Sequence, residues 1–284
     1  MTPEFAGFGH ARTVSVSGVR LEAVASEPHA WNSEVVVTVN VHDQAGPLAR
    51  CLESIARQER PAGGLGILVV DDGSSDHWAM TVGRFRQRLP LIVCRMQCGS
   101  PSRARNAALS FVDEAMRNAR WVARLDADDC FSTVRSLAAA CALGDRSNAH
   151  WVLGGNRLVR HGRLLERENP ATDALLQPVQ VLSVLKSMAE GTAGNELPSC
   201  NLLLRPRAGW RYPEVGSAED HWLVADLLLN HAPLGAVLTD PLYCDYNLGG
   251  DVTAANRRSE RYIASRQALF AQAQAWVARQ GDVR

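Results

Sequence analysis

Lysine is nearly missing from this chain: of its 30 basic residues only Lys186 is not arginine. The bias fits a GC-rich, bacterial coding sequence, and it leaves any chemistry that needs a lysine with a single candidate. Net charge is missing too, since 30 Lys and Arg stand against 30 Asp and Glu. No overall field therefore draws the chain to nucleic acid or to an anionic membrane, and a polyanionic ligand must be held locally. No run approaches the ~18–20 apolar residues of a membrane helix, and the amino terminus has neither a basic start nor an apolar signal core. The seven cysteines (51, 94, 98, 130, 141, 200 and 244) are odd in number, widely spaced and without a Cys-x-x-Cys pair. That usage suits packed thiols in a reducing cytoplasm rather than a disulfide framework. Basic residues do not cluster with aromatics, which argues against a nucleic-acid binder.

What is there is a core and a rhythm. The 284 residues are 46% apolar, enough for one large α/β domain or two small ones. Residues 1–33 hold two alternating stretches, Thr13 to Ser17 and Val19 to Val24, that suit a short hairpin closed at Gly18 on the domain edge. Glu34 to Val41 is a β-branched run of the kind buried strands use, and Pro47 to Arg57 reads as a helix with Leu48, Cys51, Leu52 and Ile55 on one face. Leu65 to Val70 is a second strand, followed by Asp71-Asp72-Gly73-Ser74 and an amphipathic stretch to about Leu89. Leu91 to Met96 is a third strand. Strand and helix alternating this closely imply parallel pairing with right-handed crossovers.

The chain is organised around Trp121 to Phe131, where a short apolar strand ends in Asp126, Asp128 and Asp129. Ligands of open α/β sheets bind at such carboxyl ends. Two carboxylates at i and i+2 on a turn can face one crevice, and hard oxygen donors suit Mg²⁺ or Mn²⁺. The plain alternative is a turn or helix cap. Upstream, Ser100-Pro101-Ser102-Arg103-Ala104-Arg105 runs into a helix whose arginines either meet phosphate or stay solvated. Downstream, Glu219-Asp220 precedes the apolar run Trp222 to Leu229, where an acid is a helix cap, a mounted functional group, or both.

The Asp-Asp-Gly-Ser turn, the Ala-Arg-Asn helix start, the Leu-Asp-Ala-Asp-Asp edge and Glu219-Asp220 stand in an order and spacing that resembles the family-2 glycosyltransferases of the GT-A fold. The likeness runs from Glu34 to about Thr253 and includes Ser199-Cys200-Asn201 and Asp240-Pro241-Leu242-Tyr243. It implies a Rossmann-like, mixed but mostly parallel sheet flanked by helices, in a single domain with an N-terminal extension (1–33) and a C-terminal helix (257–284). Residues 34–145 would form the nucleotide-sugar half and 146–256 the acceptor half with the Glu-Asp. Carried over by position, Asp71 would accept from the nucleotide base, Asp126 would take the ribose side, Asp128 the divalent metal, and Arg105 would lie near the base or diphosphate. Asp220 would be the general base of an inverting transfer from a nucleoside-diphosphate sugar to a soluble small-molecule acceptor, a natural-product intermediate being our expectation.

The sequence departs from relatives in two places. Where they end the first strand Pro-Thr-Tyr-Asn, this chain has Asn40-Val41-His42-Asp43, so His42 and Asp43 are assigned to the base pocket, with His42 either stacking on the base or simply hydrogen-bonded. The His that many relatives carry beyond the final Tyr is lacking, and Asn247, Asp245 or water is expected in its place. Gly249-Gly250 suggests a lid. Asn148 to Leu197 offers a strand at Trp151 to Asn156, a charged loop at Arg160 to Glu168 and a helix at Pro178 to Ala189, but nothing that names the acceptor. Ser259 to Arg279 reads as a packing or homodimer helix.

Three rivals compete. A haloacid-dehalogenase-like phosphatase needs Thr or Val where Cys130 stands and a lysine that only Lys186 could supply. A sugar-nucleotide pyrophosphorylase needs a Gly-rich basic loop that Val41 to Pro47 is not. A non-catalytic sugar-nucleotide binding protein is kept alive by the altered first-strand end.

Overall fold

Apolar strands alternating with amphipathic helices can hide both strand faces only in a helix-covered parallel sheet. The computed structural model describes residues 8–61, 63–160, 162–192, 196–249 and 259–281. A hairpin of β1 (His10–Val16) and β2 (Val19–Ala25) turns at Ser17 and Gly18, both at positive φ, and lays β2 antiparallel on β5 (Leu91–Met96). Next to β5 come β4 (Leu65–Asp72), β3 (Val35–Val41) and β6 (Trp121–Arg124), all parallel. Their crossovers are α1 (Ala45–Ala56), α2 (Trp78–Gly83) and α3 (Pro101–Ala115).

Period-2 alternation divides the core cleanly. Val36, Leu68, Val70 and Ile92 pack on one face of the sheet with α3, whereas Val35, Val37, Ile67, Val69 and Val93 pack on the other with α1. Every one of these side chains is fully enclosed or nearly so.

The remaining chain is β7 (Cys130–Phe131), α4 (Ser136–Arg146), β8 (Trp151–Gly154), β9 (Asn156–Arg160), β10 (Arg163–Asn169), α5 (Pro178–Glu190), β11 (Leu202–Leu204), α6 (Glu219–Asn230), β12 (Gly235–Leu238), β13 (Cys244–Asn247) and α7 (Glu260–Gly281). The large sheet has the order β1-β2-β5-β4-β3-β6-β11-β8-β12, with β11 antiparallel between β6 and β8. It runs unbroken across the boundary expected near residue 145. Gly235 lies opposite Trp151, where a Cβ would fall 2.0 Å from the indole. A second sheet, β10-β9-β13-β7, stands over the carboxyl ends of the parallel strands.

Three local expectations are corrected. The charged segment Arg160 to Glu168 is not a loop: it turns at Gly162 and becomes β10, whose strand hydrogen bonds form regardless of its polar side chains. The strand expected over Trp151 to Asn156 is two strands broken at Gly155. The helix after β4 stops at Gly83 and gives way to turns. The helix α7 buries Leu269 and Ala273 in the core. Among the described residues no helix is long and apolar enough to cross a membrane.

Candidate active site

The parallel strands end together because they are parallel, and a cleft of about 650 Å³ opens where they do. That is within the range of small-molecule sites. It is lined by Asn40 to His42, Asp72, Arg105, Arg124, Asp126, Asp128 and Asp220 on the large-sheet side, and by residues of β9, β10, β13 and α7 opposite.

Its electrostatic centre is a residue that sequence reasoning passed over. Arg124, the last residue of β6, is almost wholly buried, and its Nε and Nη2 donate to the two carboxylate oxygens of Asp126 at 2.9 and 2.5 Å. Its Nη1 donates to the Ser199 carbonyl at 3.3 Å and lies 3.6 Å from Asp220 Oδ2. It stands inside an otherwise apolar strand, and its i, i+2 spacing to Asp126 was the available signal. Arg105, from the second turn of α3, adds Nη2 to Asp126 at 3.4 Å and pairs through Nη1 with Glu219. Arg103 faces away, bonded to Glu214 at 2.9 Å and largely exposed.

The three acids of the edge differ sharply. Burial disfavours the Asp126 charge, but Arg124 and Arg105 outweigh it and hold the carboxyl below its usual range. At Asp128, burial and then the Asp126 charge push the carboxyl up to about 6. Among the described residues no basic side chain pairs with it, and Asn247 Nδ2 approaches only to 3.5 Å. Asp129 is buried beneath, its Oδ1 accepting from the Asn247 backbone amide at 2.7 Å, and one of its carboxylate oxygens lies within 4.8 Å of the Cys200 and Cys244 thiols. A cleft-lining carboxylate left without an ion-pair partner between two other acids is what a divalent cation fits, so Asp128 is suited to the ion the fold implies. Asp245 is not: both its oxygens are bonded by Arg157, at 2.7 and 2.9 Å, and one by Ser132 at 2.6 Å. Asn247 is the neighbour that remains. Gly250 lies outside the described residues, and with it half of the lid expectation.

Asp220 opens α6, whose amino-terminal dipole favours a carboxylate. Ala218 enters the helix from the left-handed region, φ 60°, a conformation costly for a residue with a Cβ. Ser199 Oγ donates to Asp220 Oδ2 at 2.9 Å and the His221 amide to Oδ1 at 2.9 Å. Burial opposes the charge, but His221, Arg124, Arg105 and the Ser199 hydroxyl outweigh it, and the carboxyl is held far below its usual range. Because burial lowers the His221 pKa in turn, the lasting counter-charges near neutral pH are the two arginines.

At the other end the structure separates two neighbours. Asp71 is fully enclosed: Ser74 N donates to Oδ1 at 2.9 Å and Arg95 Nε lies 3.0 Å from Oδ2. It does not line the cleft, which corrects its placement at the base. Asp72 does, its Oδ1 accepting from the amides of Cys98 at 2.5 Å and Gly99 at 3.2 Å. His42 also lines it, its Nδ1 2.8 Å from the Asp72 carbonyl and its ring two-thirds exposed. Asp43 is a clasp rather than a contact: one oxygen accepts from Ser75 N (2.7 Å), Ser75 Oγ (3.1 Å) and Asp76 N (3.2 Å). Lys186 pairs with Glu190 on the exposed side of α5 and is absent from the cleft lining, which removes the lysine a phosphatase would need.

With this geometry in place, the likenesses can be read. Residues 33–153 match the sequence profile Glycosyl transferase family 2. That segment belongs to the family-2 glycosyltransferases, in a GT-A fold. It contains His42, Asp72, Arg105, Arg124, Asp126 and Asp128, whereas Asp220 lies beyond it. No curated protein matches the chain. Among solved structures, S. aureus TarS 1-349 in complex with UDP-GlcNAc is 22% identical, with a TM-score of 0.62 over 86% of this chain and 71% of that one. The same protein with UDP is 23% identical, TM-score 0.59, over 86% and 70%. The mannosyltransferase PcManGT from Pyrobaculum calidifontis, in complex with GDP-Man and Mn²⁺, is 18% identical, TM-score 0.50, over 89% and 76%. At these identities the likeness is one of fold.

Proposed function

We propose that the chain is a metal-dependent inverting glycosyltransferase that moves a sugar from a nucleoside-diphosphate sugar to an acceptor hydroxyl. The observation that carries the reading is the position of Arg124, whose one guanidinium ties Asp126 at the strand edge to Asp220 on α6. Asp128, the acid suited to a cation, stands two residues beyond Asp126 in the same cleft as the ionised Asp220. Solved neighbours of the same fold bind UDP-GlcNAc, and GDP-Man with Mn²⁺, which supports this class of donor.

In this reading Asp72 and His42 hold the base, Asp126 faces the ribose, and Asp128 holds Mg²⁺ or Mn²⁺. A divalent ion held there would supply positive charge to offset that of the departing diphosphate. Asp220 takes the acceptor proton. Arg124 and the Ser199 hydroxyl keep it ionised, so it is a weak base in the ground state. The transfer becomes favourable only as the anomeric carbon–oxygen bond breaks and the attacking oxygen turns acidic. Attack from the face opposite the diphosphate inverts the anomeric centre. The same placement of Asp220 weighs against a binding protein without turnover.

The test is Asp220→Asn. The amide keeps an acceptor for the His221 N–H but cannot take a proton, so kcat should fall by roughly 10²–10⁴ while donor affinity stays within a few-fold. A variant within a few-fold of wild type in kcat, or a product of retained configuration by NMR coupling constants, refutes single displacement by this residue.

A further inference from the structure

We infer that the acceptor is a hydroxyl carried on a flat, apolar body, an aromatic alcohol or phenol rather than a saccharide. The inference rests on the transferase reading and concerns the wall of the cleft opposite the donor. That wall is the small sheet. In β9 the residues Asn156, Leu158 and Arg160 share one face, and all three line the cleft. Strand β13 pairs in register with Tyr246 beside Leu158, and on the other side β10 brings Leu165, the residue after the Leu164–Val159 pair, to the cleft lining. Leu165, Leu158 and Tyr246 therefore give the cleft an apolar wall drawn from three strands. Leu197 and Leu248 line the cleft with it, as does Tyr262 of α7, the helix that sequence reasoning had read only as a packing or dimer element.

Several polar groups of this wall are already engaged within the protein. Asn156 Oδ1 accepts from Asn201 Nδ2 at 3.2 Å, Asn169 Oδ1 accepts from the Glu196 amide at 3.3 Å, and Glu196 pairs with Arg266 at 3.1 Å. A sugar ring laid against Leu158, Leu165 and Tyr246 would lose water from the hydroxyls facing them without gaining partners there, whereas a flat apolar ring loses only unfavourable hydration. Arg160 stands exposed at the rim. In the reaction the phenol or alcohol oxygen bonds to the anomeric carbon, the bond to the diphosphate breaks with its electron pair going to the diphosphate, and the hydroxyl proton goes to Asp220.

The experiment has two separate arms. Calorimetry with uridine, guanosine and thymidine diphosphates plus Mn²⁺ tests the donor site alone. Fluorescence titration with 4-methylumbelliferone, against N-acetylglucosamine and lactose as calorimetric competitors, tests the acceptor wall without turnover. The phenol should bind with Kd below about 0.1 mM. Leu165→Glu should weaken it at least about tenfold and Leu165→Met by less than about threefold. A thermal melt and nucleotide affinity certify that each variant is folded. Nucleotide binding together with phenol binding that Leu165→Glu weakens supports the proposal. Nucleotide binding with no phenol binding, or with a sugar bound more tightly than the phenol, overturns it and leaves the transferase reading standing. Absence of any nucleotide binding overturns the transferase reading and this inference with it.

Discussion

Arg124→Met removes a guanidinium and keeps most of its apolar stem, which makes it the cleanest probe of how the site is held. Arg124 is 5% exposed and donates to both oxygens of Asp126 at 2.9 and 2.5 Å, and to the Ser199 carbonyl at 3.3 Å. Breaking a buried pair by deleting one partner costs about 3–5 kcal/mol, because the other charge is left behind. The Asp126 side chain is 24% exposed and keeps some water and Arg105, so the low end, about 3 kcal/mol, is the expected value. A chain of this size loses about 2–4 °C per kcal/mol, which gives a fall in Tm of roughly 6–12 °C. Arg124→Lys keeps the charge but not the two-pronged geometry and should lose less. The assay is urea and thermal unfolding by circular dichroism in a double-mutant cycle with Asp126→Asn. If Asp126 is the partner that matters, Arg124→Met should cost much less in the Asp126→Asn background. A loss under about 1 kcal/mol, or the same loss in both backgrounds, refutes the reasoning.

Asp128→Ala should abolish Mn²⁺-dependent nucleotide affinity while leaving the melt within a few degrees, and calorimetry that finds metal-dependent binding unchanged rejects the assignment. Asp71→Asn and Asp72→Asn should separate: the first loses stability, because Arg95 is left facing an amide, and the second loses nucleotide affinity by about tenfold with little change in melt. Equal effects on affinity would return the base contact to Asp71. For pH, the Asp220 carboxyl is depressed, so its base form persists as pH falls and is lost only as pH drops through that depressed value. At saturating Mn²⁺, kcat should therefore show no acid limb assignable to Asp220 between pH 5 and 8. A limb near pH 6–7 that Asp220→Glu shifts would show a base of ordinary or raised pKa.

How much of this was legible in the sequence depended on whether the signal was local. The runs Val35 to Val41, Leu65 to Val70 and Trp121 to Arg124 announce themselves, because a strand buried on both faces must be largely apolar and its acids gather at the exposed end. The acidic edge and the Glu-Asp helix start followed from the same local rules, as did the resemblance built on them. The strand β10 did not: its charged residues carry no apolar pattern, and only its pairing with β9 makes it a strand. Asp71 and Asp72 are adjacent, and neighbouring residues of a strand point to opposite sides, so which one meets the cleft depends on where Arg95 of the next strand stands. Arg124 is a polar interruption of an apolar run, and its role shows only once β6, α3 and α6 are brought together around it. Leu158, Leu165, Tyr246 and Tyr262 span more than a hundred residues of chain, and only the packing of β9, β10, β13 and α7 gathers them into one wall. Local composition thus decided which segments are strands and helices, while the tertiary structure decided which side chains face each other, since burial and pairing are properties of neighbours that the chain brings from far away.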